Sequence, residues 1–390
     1  MNQGKYVFSQ VTAFLPARVF DRCVAQYAGN KGVKHFSCWN QMLCMMFGQL
    51  SARGSLRDLV TCISAHPSKY YHLGFGHSVS RSNLRNANDK RDWRILEAFA
   101  MELIREARQC CLATSEFTLD IIGNAYAFDS TTVDLCLSVF WWATFRKTKA
   151  AVKLHTLYDI KTEIPSFVLV TEASVHDVNA LDHLPLETGA YYVLDRAYID
   201  FERLYAIHQR KSFFVTRAKR NTRFYCVSVA EPNPSAGVLS DNGIRFIGYE
   251  ASKRYPEPMR RIRFYDPTTK KLLVFLTNNF DLPAADIARL YKYRWSVELF
   301  FKWIKQHLQI EAFWGTTPNA VKTQVYIAII TYTLVAIIKN KLKSTRSTYE
   351  ILQILAVSLL DKTPLRELLD IKPNTEEKSE NQFSLQFDRI

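Results

Sequence analysis

Apolar residues recur at three- and four-residue spacing early in the chain, as in Val11-Phe14-Leu15 and Leu43-Met46-Phe47-Leu50, which predicts helices. Asp92 stands where it would cap a further helix through Trp93, Ile95, Leu96, Phe99, Leu103 and Ile104. A basic, serine-rich segment, His77–Arg85, lies between these helical stretches. Near residue 119 the period shortens towards two. Ala127–Val133, Ala151–Asp159 and Phe167–Thr171 read as three consecutive strands. A short helix Asp177–Leu184, a strand Ala190–Leu194, a helix Asp200–Arg210 and a strand Ser212–Thr216 follow. Three strands, then alternating helix and strand, predict a mixed sheet with helices on its faces.

From about 218 to 284 the runs Phe224–Val229, Ile244–Tyr249, Arg261–Tyr265 and Leu272–Leu276 predict a small β module. Its last two strands flank the turn Asp266-Pro267-Thr268-Thr269-Lys270. One long helix is expected from Pro283 to about His307, with others over Asn319–Lys341 and Thr348–Leu359 and a polar tail from Pro373. The expected divisions are a helical N-terminal domain (1–118), a first core part (119–217), the β insertion (218–284), a second core part (285–345), and a C-terminal helix and tail (346–390).

Charge narrows the function. The 390 residues carry a net charge of +14, and a protein this basic suits a polyanion such as nucleic acid. Residues 218–284 alone hold eleven Lys and Arg against six Asp and Glu. The eight cysteines show no C-x-x-C spacing and read as reduced thiols of a cytoplasmic protein, with neither disulfides nor a zinc site. The start of the chain lacks a signal-peptide pattern. The apolar run Val325–Ile338 is too short to span a bilayer, so no membrane is expected.

Three acids hold strategic positions. Asp129 lies inside a predicted strand, where an ionised carboxylate is costly unless it meets a cation or metal. Asp195 ends the strand Tyr191-Tyr192-Val193-Leu194, and ligand sites of open sheets lie at the carboxyl ends of strands. In a sheet of order 3-2-1-4-5 these two strands are neighbours. On one continuous helix Tyr291, Arg294, Glu298 and Lys305 would share a stripe beside the apolar face of Val297, Phe301 and Ile304. Taken alone, that helix is better explained as an amphipathic helix with ordinary i,i+4 pairing of Arg294 with Glu298. His155 and His176 are expected to be structural hydrogen-bonders.

The four stripe positions have the spacing Y-x2-R-x3-E-x6-K, and the segments Phe128-Asp129-Ser130-Thr131-Thr132 and Leu194-Asp195-Arg196-Ala197-Tyr198 flank the other two acids. The sequence resembles transposases of the insertion-sequence-four family, of the DDE superfamily, over most of its length. The resemblance implies an RNase H-like mixed five-stranded sheet with flanking helices, interrupted by a β insertion and preceded by the helical domain. It implies that Asp129, Asp195 and Glu298 hold two Mg2+ ions (Mn2+ substituting), with Asp129 bridging. It further implies that Tyr291, Arg294 and Lys305 contact phosphates, and that a homodimer joins double-stranded transposon ends to target DNA. Arg53, Arg57, Arg81, Arg85, Arg91 and Arg94 form a candidate basic face of the helical domain, and Lys219, Arg220, Arg261 and Arg263 are candidate phosphate contacts in the insertion. None of the tryptophans lies in 218–284, although some relatives place one in this insertion for hairpin processing. A metal-dependent nuclease without strand transfer, and a DNA-binding protein without catalysis, remain as alternatives.

Overall fold

The structure is a computed structural model of the chain and describes residues 4–112, 117–146, 149–219, 223–308, 310 and 312–370. Its strands are β1 (Ala125–Leu135), β2 (Thr144–Arg146), β3 (Lys149–Asp159), β4 (Ile164–Glu172), β5 (Tyr191–Leu194), β6 (Phe213–Arg217), β7 (Phe224–Ala230), β8 (Val238–Phe246), β9 (Met259–Asp266) and β10 (Lys271–Thr277). β1, β3 and β4 form an antiparallel meander; β5 then lies parallel to β1, and β6 parallel to β5. The order β4-β3-β1-β5-β6 is a 3-2-1-4-5 arrangement, which makes β1 and β5 neighbours.

The insertion differs from expectation. Its four strands do not fold as a separate small sheet. Antiparallel pairing of β10 with β6, through Phe275↔Arg217 and Thr277↔Val215, carries the sheet on through β9, β8 and β7, giving ten strands in all. That pairing joins residues about sixty positions apart, which local periodicity does not encode.

Alternation sorts the side chains to two faces. Ala125, Ala127, Tyr191, Val193 and Val215 pack on one face against the helices Arg94–Leu112, Ala284–Lys292, Trp295–His307 and Pro318–Leu342. Tyr126, Phe128, Tyr192, Leu194 and Phe214 pack on the other, under the 3-10 turn Asp177–His183 and the helix Phe201–Gln209. The helix Pro318–Leu342 is capped by the Thr317 side chain. By length and composition it is apolar enough to cross a membrane, but its most apolar window is 94% buried inside the fold.

Residues 7–112 are helical, as the spacing predicts, and pack on this buried helix through the helices Cys38–Leu50, Arg81–Lys90 and Arg94–Leu112. The segment His77–Arg85, left between helices in the sequence pattern, contains a helix start: Ser80 caps Arg81–Lys90 by accepting the Asn83 amide. The polar tail from Pro373 and the candidate Arg220 lie outside the described residues. The helical region meets the core closely at Gly48, where a Cβ would run into the Trp314 indole. Gly48→Ala is therefore expected to destabilise the protein by about 1–3 kcal/mol through overpacking, despite alanine's better helix propensity. Melting curves of the variant check this.

Candidate active site

The last parallel pair between β1 and β5 is Phe128↔Leu194, so Asp129 and Asp195 each follow it by one residue on adjacent strands. Alternation turns both from the Phe128 and Leu194 face to the face covered by Trp295–His307. That helix carries Glu298 in its first turn and packs on β1 and β3. Asp129 and Glu298, far apart in sequence, thus come to one place, and Asp195 stands at the neighbouring carboxyl end of β5, near enough for its charge to bear on Asp129.

Arg294 ties two of them, Asp129 and Glu298, together. Its Nη1 donates to Asp129 Oδ2 at 2.9 Å and its Nη2 to Glu298 Oε1 at 2.6 Å. Asp129 Oδ1 accepts the Ser130 amide at 2.8 Å and the Tyr198 hydroxyl at 3.4 Å. Asp195 Oδ1 accepts the Ala197 amide at 3.0 Å, capping the 3-10 turn Arg196–Tyr198. Burial pushes the Asp129 carboxyl up to about 6; the Arg294 guanidinium and the Ser130 amide oppose this, while the charges of Glu298 and Asp195 add to it. Burial also works against the charge on Arg294, but Tyr291 and the three acids outweigh it and hold the guanidinium protonated.

The raised Asp129 value has a sign for stability. The usual carboxyl value is 3.8, so the stabilising contribution is present below that value and is lost as pH rises through about 6. The side chain is 20% exposed, and the shift corresponds to roughly 2–3 kcal/mol. In EDTA, the stability of the natural protein relative to Asp129→Asn should fall by about that amount between pH 4 and 7. A difference independent of pH across this range would contradict the burial argument.

The expected single helix is broken. Ala284–Lys292 ends at Tyr293, and Trp295–His307 starts after Arg294. No proline or glycine causes this. The amides of Tyr293 and Arg294 bond back only three residues, to Leu290 and Tyr291, and the Ser296 side chain also takes the Tyr293 carbonyl. This tight turn separates Tyr291 from the helix of Arg294, Glu298 and Lys305. Tyr291 is buried with its ring 5.0 Å from Phe275, its hydroxyl has no hydrogen-bond partner, and burial pushes the phenol up to about 12. A phenol held protonated in this way is a poor nucleophile. Lys305 Nζ donates to the Thr132 carbonyl at 2.7 Å, three residues along β1 from Asp129.

Other candidates lie elsewhere. Arg53, Arg57, Arg81 and Arg85 belong to the helical region, and Arg57, Arg81 and Arg85 are exposed. Arg91 is not part of an open basic face: it donates to the carbonyls of Ser37 and Phe36 and to Gln41, and so braces the helices. Arg94 is paired with Asp92. Lys219 reaches the Ile199 carbonyl near the Asp195 turn. Arg261 lies over the Phe224 ring at 4.7 Å, whereas Arg263 is half-exposed on the same strand. His155 is fully buried, with Nε2 2.9 Å from Thr171 Oγ1, and burial lowers it to about 4. Sequence reasoning missed Tyr198, whose hydroxyl bears on Asp129, and Thr156, which stands opposite Asp129 in register with a buried, unpartnered hydroxyl. The alternating pattern of β3 was the signal available for Thr156.

The donor set suits a hard cation such as Mg2+, because all three acids offer oxygen. The unpartnered Arg294 Nε and Tyr291 hydroxyl beside them also mark a place arranged for a further polar group. In the arrangement described, Arg294 lies between Asp129 and Glu298. Among the described residues no three acid, imidazole or thiol groups are gathered closely enough to hold an ion.

Residues 123–334 match the family described as the transposase DDE domain, and residues 3–76 match a domain of unknown function, DUF4372. A protein of Sinorhizobium fredii that bears a transposase name, y4zB, is 36% identical over 205 residues, covering 50% of this chain and 56% of that protein. One from Geobacillus stearothermophilus, named for the transposase of insertion sequence element IS5377, is 34% identical over 210 residues, covering 53% and 54%. A Synechocystis protein named for the transposase of IS4SA is 23% identical over 271 residues, covering 67% and 73%. The matched stretch spans little more than half the length of the first two relatives. Because the DDE domain covers more than half of its residues, the chain belongs to the transposase DDE domain family.

Proposed function

We propose that this chain is the transposase of an insertion sequence, which binds the terminal inverted repeats of its element and catalyses strand cleavage and strand transfer. The observation that supports the reading is the bridging of Asp129 and Glu298 by Arg294, with Asp195 on the strand next to Asp129. The β4-β3-β1-β5-β6 order fits an RNase H-like core. The Tyr291, Arg294, Glu298 and Lys305 spacing fits the insertion-sequence-four pattern. DNA as substrate fits the charge of +14, and a cytoplasmic, nucleoid-associated setting is the one that suits such a substrate.

Asp129, Asp195 and Glu298 would together hold two Mg2+ ions. When bound, the ions supply an activated oxygen nucleophile and charge stabilisation for an in-line displacement at phosphorus. Arg294 would exchange its carboxylate partners for a phosphate beside the scissile bond. Lys305, held near the end of β1, would contact the next phosphate, and the Tyr291 hydroxyl has a free donor for a phosphate oxygen. The two DNA ends would be paired by a homodimer.

The test is a cleavage and strand-transfer assay with purified full-length protein, Mg2+ and duplexes carrying the element's own ends. Asp195→Ala and Glu298→Ala proteins should bind these duplexes and fail to cut them. Cutting at the natural rate by either variant would remove that residue from the assignment. End binding should also weaken by about 10³–10⁵ between 50 and 200 mM salt if six to ten phosphates are contacted. A shallow salt dependence would contradict the charge argument.

A further inference from the structure

The helix Arg81–Lys90 presents a surface that the acid site does not use. It buries Leu84, Ala87 and Asn88 and exposes Arg81, Ser82, Asn83, Arg85, Asn86 and Lys90. At about 100° per residue, Asn83, Asn86 and Lys90 share one arc roughly 60° wide, and Arg81 and Arg85 share another across the exposed face. The exposed face thus runs from Arg81 and Arg85 on one edge, past Asp89 and Ser82, to Asn86, Lys90 and Asn83 on the other, with Lys90 between the two amides. The only acid on this helix, Asp89, is held by Thr317 at 2.9 Å and lies 3.6 Å from Arg85. Alongside, Lys34 and His35 face Asn83, Asn86 and Lys90 across a cleft of about 370 Å³. The whole stretch 4–112 carries fifteen Lys and Arg against seven Asp and Glu.

The helix is also fixed to the core. Asn319 Nδ2 donates to the carbonyls of Asn88 and Arg91 at 2.8 and 2.6 Å, and Gln41 Nε2 donates to Asn88 Oδ1 at 2.8 Å. Thr317 and Asn319 begin the buried helix Pro318–Leu342, whose preceding loop accepts the Trp142 indole N–H at the Thr316 carbonyl. DNA bound at Arg81–Lys90 is therefore held at a fixed offset from β1 and its acid.

We propose that the helix Arg81–Lys90 reads DNA sequence by entering the major groove of the duplex, with Asn83 and Asn86 on base edges and Arg81, Arg85 and Lys90 on the flanking phosphates. The proposal rests on the reading of this chain as a protein that binds and cuts DNA. An α-helix with side chains is about 10–12 Å across and the major groove about 12 Å wide. Asparagine can make paired hydrogen bonds to adenine, which bare charge cannot replace. A membrane surface or an acidic protein would be met by charge alone and gives no reason for two exposed amides one turn apart.

The test uses full-length protein and two duplexes: the terminal 40 base pairs of the element that encodes this chain, and a shuffled duplex of the same composition, both read by fluorescence anisotropy at one salt concentration. The double variant Asn83→Ala/Asn86→Ala should lose roughly ten- to hundredfold of the preference for the terminal duplex. It should keep its affinity for the shuffled duplex within about twofold, which also reports that it is folded. Arg81→Ala/Arg85→Ala should weaken both duplexes alike and reduce the salt slope by about two. Undiminished preference in the asparagine variant, or no preference in the natural protein, overturns the proposal. Cleavage of the terminal duplex by the natural protein separates this from the parent reading. Cutting together with undiminished preference in the variant refutes the recognition helix alone. Absence of cutting refutes the catalytic reading, and a selective loss of preference then still supports the helix.

Discussion

Asp129→Ala protein is expected to bind a terminal duplex as the natural protein does and to cut it slower by on the order of a thousandfold or more, the equivalent of about 4 kcal/mol of barrier. The residue's placement explains the size of the effect. Asp129 lies within β1 beside Asp195 and accepts Arg294 at 2.9 Å, so it borders both of the other acids. Removing one of three oxygen ligands would leave the set too small to hold the cation it is proposed to bind. Because the side chain is mostly buried and carries a raised pKa of about 6, its loss should not unfold the metal-free protein. Single-turnover cleavage rates at pH 7–8, measured beside binding constants on the same duplex, check both halves. Cleavage within tenfold of the natural rate would contradict the role.

Arg294→Ala should behave differently. It leaves Asp129 and Glu298 facing one another without the guanidinium that now bridges them at 2.9 and 2.6 Å. Stripping one partner from a mostly buried ion pair costs about 3 kcal/mol or more, so the metal-free protein should melt several degrees lower. Millimolar Mg2+ should recover more stability in this variant than in the natural protein, because the competing internal cation has been removed. Cleavage should nonetheless fall by about a hundredfold, the scale of losing one aligned donor to a phosphoryl oxygen. Arg294→Lys should rescue little, since an ammonium cannot present two parallel donors to separate carboxylates. Melting curves in EDTA and across a Mg2+ titration read the first two effects. Equal Mg2+ stabilisation of variant and natural protein would mean that Arg294 does not stand in the cation's place.

The parts legible in the sequence were those set by local period and by misplaced charge. Ala151–Asp159 alternates cleanly because the two faces of β3 pack against different layers, Leu154 on one and Leu157 on the other. Asp129 stood out because an acid in such a strand needs a partner. Asp195 and Glu298 were found at a strand end and on an amphipathic helix. What stayed hidden depends on distance along the chain or on few residues. The bridge from Arg294 to Asp129 spans 165 positions. β10 joins β6 across the whole insertion. The break at Tyr293 has no proline or glycine to announce it and is made by amides that bond three residues back. The helix Arg81–Lys90 buries only Leu84, Ala87 and Asn88, too few to give a helical period. The same lack of apolar residues leaves its amides and cations exposed.

The claim that the three acids hold metal for DNA cutting is tested most directly by changing the ligand atom. Asp195→Cys replaces a hard oxygen with a softer sulfur, which Mn2+ accepts more readily than Mg2+. The variant should fail to cut a terminal duplex in Mg2+ and regain cutting in Mn2+, while the natural protein cuts in both. Equal activity of Asp195→Cys in the two metals, or rescue by neither while DNA binding and folding are intact, would contradict the account.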